Sequence, residues 1–216
     1  MQNYDVIVIG GGAAGLMCAL TAGQRGRRVL VLERANRVGK KILMSGGGRC
    51  NFTNLQVTPE RFLSANPHFC KSALSRYTQL DFIALVESHG IAYHEKTRGQ
   101  LFCDVSSKQI LAMLLDECTS AGVDIRCSCE VESLADADDF RLETSQGSFT
   151  AGALVVATGG LSIPSLGGSD LGYTLARQFG LRVQPLRAGL VPLTFTGAFQ
   201  ELSARLSGVS LRARVG

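Results

Sequence analysis

Val6-Ile-Val-Ile9-Gly10-Gly-Gly12-Ala-Ala-Gly15 is an apolar run that meets glycine without a polar interruption. A short continuous run of this kind is what a parallel strand covered on both faces requires. From Ala13 to about Gln24 the chain is rich in Ala and Leu, with Leu16, Ala19 and Leu20 on one helical face, and Gly26 supplies a stop. Val29-Leu-Val-Leu32 is a second apolar run of the same type. Strand, helix and strand make a βαβ unit, whose crossover is expected to be right-handed.

The glycines between the first strand and the helix fit the fingerprint that binds a dinucleotide pyrophosphate. Gly10 permits the tight turn, Gly12 lets the backbone approach the phosphates, and Gly15 allows the helix to pack closely on the strand. The N–H groups around Ala13 and Ala14, at the positive end of the helix, are candidate phosphate donors. Glu33 ends the second strand, where a carboxylate accepts hydrogen bonds from an adenosine ribose and disfavours a 2′-phosphate. Arg34 follows at the same end. This unit alone does not distinguish NAD from FAD.

A second constellation does more. Lys40-Lys41-Ile-Leu-Met-Ser45-Gly-Gly-Gly48-Arg49-Cys50-Asn51-Phe-Thr53-Asn54 gathers small, cationic and amide residues just past the adenosine end. An extended FAD needs such a region, because its ribityl chain and isoalloxazine continue beyond the first helix; the glycines admit the ring, and Arg49 and the amides bind oxygens. The candidates here are Lys41, Ser45, Gly46, Gly47, Arg49, Cys50 and Asn51. A solvent loop held by turn residues is the bland alternative. The third constellation is Ala157-Thr158-Gly159-Gly160, at the end of the apolar strand Ala153–Ala157. Ligands in open α/β sheets collect outside the carboxyl ends of strands, so this strand is expected near the first, with both glycine turns facing one ligand.

The rest of the pattern is α/β. From Arg34 to Asn54 regular periodicity is lost and an irregular loop is expected. Asn66-Pro67 opens a helical stretch, a second helix runs from Leu80 to Ser88, and Tyr93 and Leu101-Phe102 flank a hairpin turn at Arg98-Gly99. Ser106 or Ser107 caps a helix to about Ser120, with Gly122 as its stop. Short strands follow at Val123–Arg126, Glu130–Leu134, Arg141–Thr144 and Phe149-Thr150. Asp170 to Gly180 is expected to be helical, and Leu190–Phe195 to begin another β element.

The 216 residues, 45% hydrophobic and 19% charged, suffice for a buried core without disulfides or metals. A formal charge of +4, spread along the chain, argues against a nucleic-acid partner. Seven cysteines are an odd number with no Cys-x-x-Cys pair or zinc-ligand spacing, and they read as reduced thiols. His68, His89 and His94 show no ligand pattern, so no metal is expected. With no basic n-region at the start and no apolar run long enough to span a bilayer, the expectation is a cytoplasmic protein away from membranes.

These motifs resemble the YhiN/BaiN-like, or aminoacetone oxidase-like, family of bacterial NAD(P)/FAD-dependent oxidoreductases. The resemblance runs through the Gly10 fingerprint, Ser45–Asn54, Gly99-Gln-Leu-Phe-Cys-Asp104, Leu154-Val-Val-Ala-Thr-Gly-Gly-Leu-Ser-Ile-Pro164 and Gly189-Leu-Val-Pro192. It implies a Rossmann-like FAD domain with a parallel central sheet and a small β-meander over residues 1–190, and the start of an inserted β-rich domain over 191–216. It also implies flavin contacts from Gly10, Gly12, Gly15, Glu33, Gly47, Arg49, Asn51, Thr158 and Gly159, with Val131 holding adenine through backbone atoms. Family members continue for nearly as many residues again, so a closing segment is expected to be missing and full activity is not expected of this chain alone.

Flavin enzymes that reduce disulfides place a second cysteine one helical turn from the first; after Cys50 come Asn, Phe, Thr, Asn and Leu, which leaves it a packing or flavin-contact role. No general acid or base is named. The favoured function is an FAD-dependent oxidoreductase moving hydride through flavin to or from a small organic substrate, with NADH or NADPH as donor. An NAD-dependent dehydrogenase and a non-catalytic FAD-binding module are the alternatives. Oligomeric state is left open.

Overall fold

A computed structural model describes residues 2–136, 138–163, 166–189 and 194–209. The deciding unit folds as read: β1 (Gln2–Ile9), α1 (Ala13–Gln24) and β2 (Val29–Leu32). The supposed loop after Glu33 contains α2 (Lys40–Met44), a tight 3-10 turn at Ser45–Gly48 and β3 (Asn51–Asn54). Beyond it come α3 (Lys71–Arg76), α4 (Gln79–Ser88), β4 (Tyr93–Glu95), β5 (Gln100–Cys103), α5 (Ser107–Ser120) and β6 (Asp124–Arg126). The chain continues with β7 (Val131–Asp136), β8 (Phe140–Thr144), β9 (Gly147–Val156), α6 (Leu171–Gln178) and α7 (Ala198–Arg205).

The main sheet has the order β6-β2-β1-β9-β8-β7. Its first four strands are parallel and β8 and β7 return antiparallel as the meander. Residues of β1 and β2 alternate between two cores: Val8, Val29 and Val31 face α1 and α5, while Ile7, Ile9, Leu30 and Leu32 face Phe149, Leu142 and Leu175. That alternation between two apolar layers is why neither strand has a polar face. The small sheet β3-β5-β4 continues the α5-side core through Cys50, Cys103 and Ile91, with Phe52 packed edge-on to Tyr93 and against Phe82 of α4.

Three expectations need correcting. Phe149-Thr150 and Ala153–Ala157 are not separate strands: β9 runs unbroken through Gly152, because β8 pairs with its first half while β1 pairs along its length, from Gln2↔Phe149 to Ile9↔Val156. Asn66-Pro67 makes turns, with Asn66 Oδ1 accepting from His68 N at 3.0 Å, and the helix begins only at Lys71. Of the β element expected at Leu190–Phe195, residues 190–193 lie outside the described residues; 194–196 are irregular, and α7 follows.

Candidate functional site

The carboxyl ends of β1 and β9 lie side by side. Ala157 N donates to Ile9 O at 2.8 Å, and the two glycine turns then touch. Gly10 has φ +108°, and a Cβ there would stand 2.5 Å from Ala157 O. A Cβ on Gly15 would collide with the Gly10 carbonyl, so both residues must lack a side chain for helix and strands to meet. Gly12, by contrast, faces open space. No side chain caps α1, and Ala13 and Ala14 are exposed, so the first-turn N–H groups point into a free trough.

Glu33 closes one end of this trough. Its carboxylate is held by two backbone donors, Gly11 N and Ala35 N, each at 2.8 Å. Every carboxylate oxygen keeps a further lone pair for a ribose hydroxyl. Arg34 beside it is exposed. The backbone of the segment leading to Val131 runs past the same point, with Cys129 N on Glu33 O at 3.0 Å and Ser128 N on Ala35 O at 2.8 Å. Edge strand β7 thus starts next to the end of β2, although several strands separate them in the sheet.

The loop carrying Lys41 to Asn51 is tied to the same trough. Gly39 N donates to Gly11 O at 2.9 Å, and Lys41 Nζ reaches across to Ser162 Oγ at 3.2 Å, beside Gly159. Ser107 of α5 fixes the loop from below through Leu43 O at 3.0 Å. Gly46 packs on Phe102, whereas Gly47 and Gly48 face open space. Arg49 is exposed and, among the described residues, in no ion pair. With its amide turned to satisfy both acceptors, Asn51 Nδ2 donates to Leu101 O at 3.2 Å and Thr53 O at 3.1 Å, which leaves its oxygen free.

Cys50 lies buried, with φ +51°. Burial pushes its thiol up, with a hydrogen bond to Ser45 pulling the other way. Cys103 sits next to it, Cys103 N donating to Arg49 O at 3.0 Å. Burial first, and then neighbouring Cys50, push the Cys103 thiol up to about 11. All seven cysteines are free. The second cysteine beside Cys50 comes from a distant strand, which a search of the residues following Cys50 does not see.

Sequence reasoning also passed over Gly11, Gly39, Ser162 and Tyr173. A side chain on Gly11 would strike Val38, and Tyr173 Oη lies where a Cβ on Gly160 would press. The run of three glycines at Gly10–Gly12 was the available signal for the first. The others depend on contacts between distant segments.

The trough fits an elongated dinucleotide. Nothing packs over Gly12, Gly47 or Gly48, and Thr158 Oγ1, close to Gly172 of α6, is buried without a hydrogen-bond partner among the described residues. Among those residues no group of three or more His, Cys, Asp or Glu is placed to hold a metal ion. No helix there is long and apolar enough to cross a membrane. Two clefts lie apart from the trough, one lined by Asn3, Asp5 and Arg27 at the other end of β1, and one beyond β3.

Fold and trough together define a flavoprotein-type Rossmann domain. The HI0933-like protein Rossmann domain family matches residues 4–210, and the chain belongs to that family, the one its motifs resemble. It is 56% identical over 212 residues to the ribosomal RNA dihydrouridine synthase of Escherichia coli (strain K12), covering 98% of this chain and 53% of that protein. It is 30% identical over 213 residues to the 3-dehydro-bile acid delta(4,6)-reductase of Clostridium scindens, covering 96% and 51%. The chain therefore spans about half the length of the curated relatives it matches. Among solved structures, the open conformation of a flavocytochrome c3 fumarate reductase superposes with a TM-score of 0.55 at 19% identity, over 82% of this chain and 40% of that one, a likeness of fold.

Proposed function

We propose that this chain is the FAD-binding part of an enzyme that reduces the C5–C6 double bond of uracil in ribosomal RNA to dihydrouracil, with NADH or NADPH supplying the hydride and water the one proton. The observation that carries this reading is the 56% identity to the Escherichia coli ribosomal RNA dihydrouridine synthase along 98% of the chain. The likeness to a delta(4,6)-reductase supports the same chemistry, since both names describe saturation of a carbon–carbon double bond. Modest net charge argued for a small-molecule substrate and against nucleic acid; that remains the competing reading, and an RNA assay separates the two.

In this reading Gly10, Gly12, Ala13, Ala14 and Gly15 hold the pyrophosphate through backbone N–H groups, and Glu33 and Arg34 the adenosine ribose, with the backbone near Val131 against adenine. Lys41, Ser45, Gly46, Gly47, Arg49, Cys50 and Asn51 border the ring end, and Ala157, Thr158 and Gly159 close the trough from β9. Bound FAD supplies the two-electron relay between nicotinamide and pyrimidine. Arg49, exposed and in no ion pair among the described residues, offers a cation to carbonyl oxygens at that end, where charge develops as a conjugated double bond is reduced. We place the protein in the cytoplasm, and a domain boundary near residue 190, on the same footing.

The test is incubation of the FAD-loaded protein with ribosomal RNA lacking dihydrouridine, plus NADH or NADPH, followed by mass spectrometry of the nucleosides. Uridine gaining two hydrogens at a discrete site is expected. A preparation whose flavin is bleached by either donor, yet which leaves every uridine unchanged, rules the reading out.

A further inference from the structure

The second cleft, of about 1010 Å³, opens where β3 ends and is lined by Asn54, Gln56, Arg61, Phe62, Arg98 and Gln100, among others. We infer that it holds a single-stranded or looped segment of the RNA substrate, with phosphates on Arg61 and Arg98 and an unstacked base on Phe62. The inference rests on the proposed reading of function and adds where the substrate lies.

Charge is the first support. Between residues 40 and 80 the chain carries Lys40, Lys41, Arg49, Arg61, Lys71 and Arg76 against Glu60 alone, a local excess of cations within a chain of modest net charge. Among the described residues the ion pairs are His89–Glu117, His94–Asp104 and Arg141–Glu143, which leaves Arg61 and Arg98 without a carboxylate. Among the described residues the Arg61 guanidinium gives a single hydrogen bond, Nη2 to Gln56 Oε1 at 3.3 Å. Glu95, the nearest acid on the hairpin, is engaged by Gly99 N at 2.9 Å.

Exposed apolar side chains interleave with these cations. Phe62 is 47% exposed, Leu63 fully and Phe69 79%. Cations beside exposed aromatic rings are the combination that binds single-stranded nucleic acid, the ring stacking on a base and the cation meeting a phosphate.

The floor is held firmly enough to present them. Asn54 Nδ2 donates to Arg98 O at 2.9 Å, Gln56 N to Asn54 Oδ1 at 2.7 Å, and Leu55 N to Gly99 O at 2.8 Å. Arg98 is fixed at φ +53°, a left-handed conformation that a non-glycine residue keeps only where its surroundings enforce it. Position completes the case: β3 joins this cleft at Asn54 to the Arg49–Asn51 loop at its other end, a separation of about 10 Å at ordinary strand rise. A strand held in the cleft can therefore deliver a neighbouring, flipped-out base to the trough, as chemistry on a base requires.

Fluorescence anisotropy with the FAD-loaded full-length protein and a labelled oligouridylate of about 12 nucleotides tests this. Combined Arg61→Ala and Arg98→Ala is expected to weaken binding at least tenfold and to flatten the plot of log affinity against log salt by about 1.4, while arginine-to-lysine replacements keep the slope. Phe62→Ala is expected to lose about tenfold with the slope intact. Circular dichroism and flavin absorbance report that the variants are folded and loaded. Affinity and slope within twofold of wild type for all variants overturn the inference, as does hydroxyl-radical footprinting that finds Phe62 and Leu63 covered by polypeptide in the full-length protein. If wild type forms dihydrouridine while these variants match it, the cleft assignment fails and the function stands; if wild type neither binds RNA nor forms dihydrouridine, the function itself fails.

Discussion

Gly10 and Gly12 lie in one turn and do different work. Gly10 combines φ +108° with contact on Ala157 O, so Gly10→Ala is expected to force β1 and β9 apart and cost about 2–4 kcal/mol. In thermal unfolding that is a fall in Tm of roughly 5–15 °C for a chain of this size. Gly12 has φ −83° and open space around it, and alanine there keeps the fold. Its new methyl stands where a pyrophosphate approaches, so FAD affinity in a fluorescence titration is expected to drop at least tenfold, about 1.4 kcal/mol, with little change in Tm. Gly12→Ala binding FAD as tightly as wild type would move the phosphates elsewhere. The thiols supply a pH-dependent counterpart. Burial pushes Cys103 and Cys118 up to about 11 from an ordinary value of 9.0. Unfolded thiols release their protons first, so the stability linked to these groups is complete below pH 9 and is lost as pH rises toward 11. Iodoacetamide at pH 8 should therefore leave both unmodified in the native protein and label them after denaturation, as peptide mapping will show.

Among the elements, α4 shows how local sequence and tertiary role combine. Thr78 and Asp81 form a reciprocal capping box: Asp81 Oδ2 accepts from Thr78 N at 2.7 Å, and Thr78 Oγ1 accepts from Asp81 N at 3.3 Å. The bond from Thr78 N foremost, and a second donated by Thr78 Oγ1 to the same oxygen at 2.7 Å, hold the Asp81 carboxyl below its ordinary value. Its contribution is therefore present above the unfolded pKa and lost as pH falls through the lower, folded one. Thr78→Ala is expected to cost about 1 kcal/mol, read in amide exchange as earlier opening of α4 than of α1. Equal opening of both helices would show that the cap is not what anchors α4. This box was within reach of the sequence, as was the one at Ser106 and Gln109 that starts α5. The helix inside the supposed loop was not, because Lys40–Met44 is too short for periodicity to register and is held by Ser107 from α5. Continuity of β9 through Gly152 escaped for a related reason: a glycine reads as a break unless the neighbours that hold the strand extended are known, here β1 on both sides of Gly152 and β8 as far as Ala151.

For the whole molecule, the trough is a meeting of segments that are remote along the chain. Glycine turns after apolar strands announced two of its walls, and the acid after β2 a third. The path of Ser128–Cys129 past Glu33 and the reach of Lys41 to Ser162 exist only once the sheet has closed, so no local pattern carried them. The same holds for the cleft beyond β3, since Arg61 and Arg98 are remote in the chain and line one cleft only once β3 has paired with β5. It follows that a ligand lying along the trough binds the folded chain and has no site on the unfolded one. Ligand-linked stabilisation is then about 2.7 kcal/mol at a hundredfold excess over Kd. FAD at that excess is expected to raise Tm by roughly 5–10 °C, and the increment should shrink in Gly12→Ala while the ligand-free Tm holds. NAD is the control, because it can occupy the Gly10–Glu33 end but leaves the Gly47–Arg49 end unfilled, and its shift is expected to be much smaller. Differential scanning calorimetry with each dinucleotide decides between them: a shift from NAD and none from FAD would reassign the trough to a nicotinamide dehydrogenase, with the Ser45–Asn54 turn serving the fold alone.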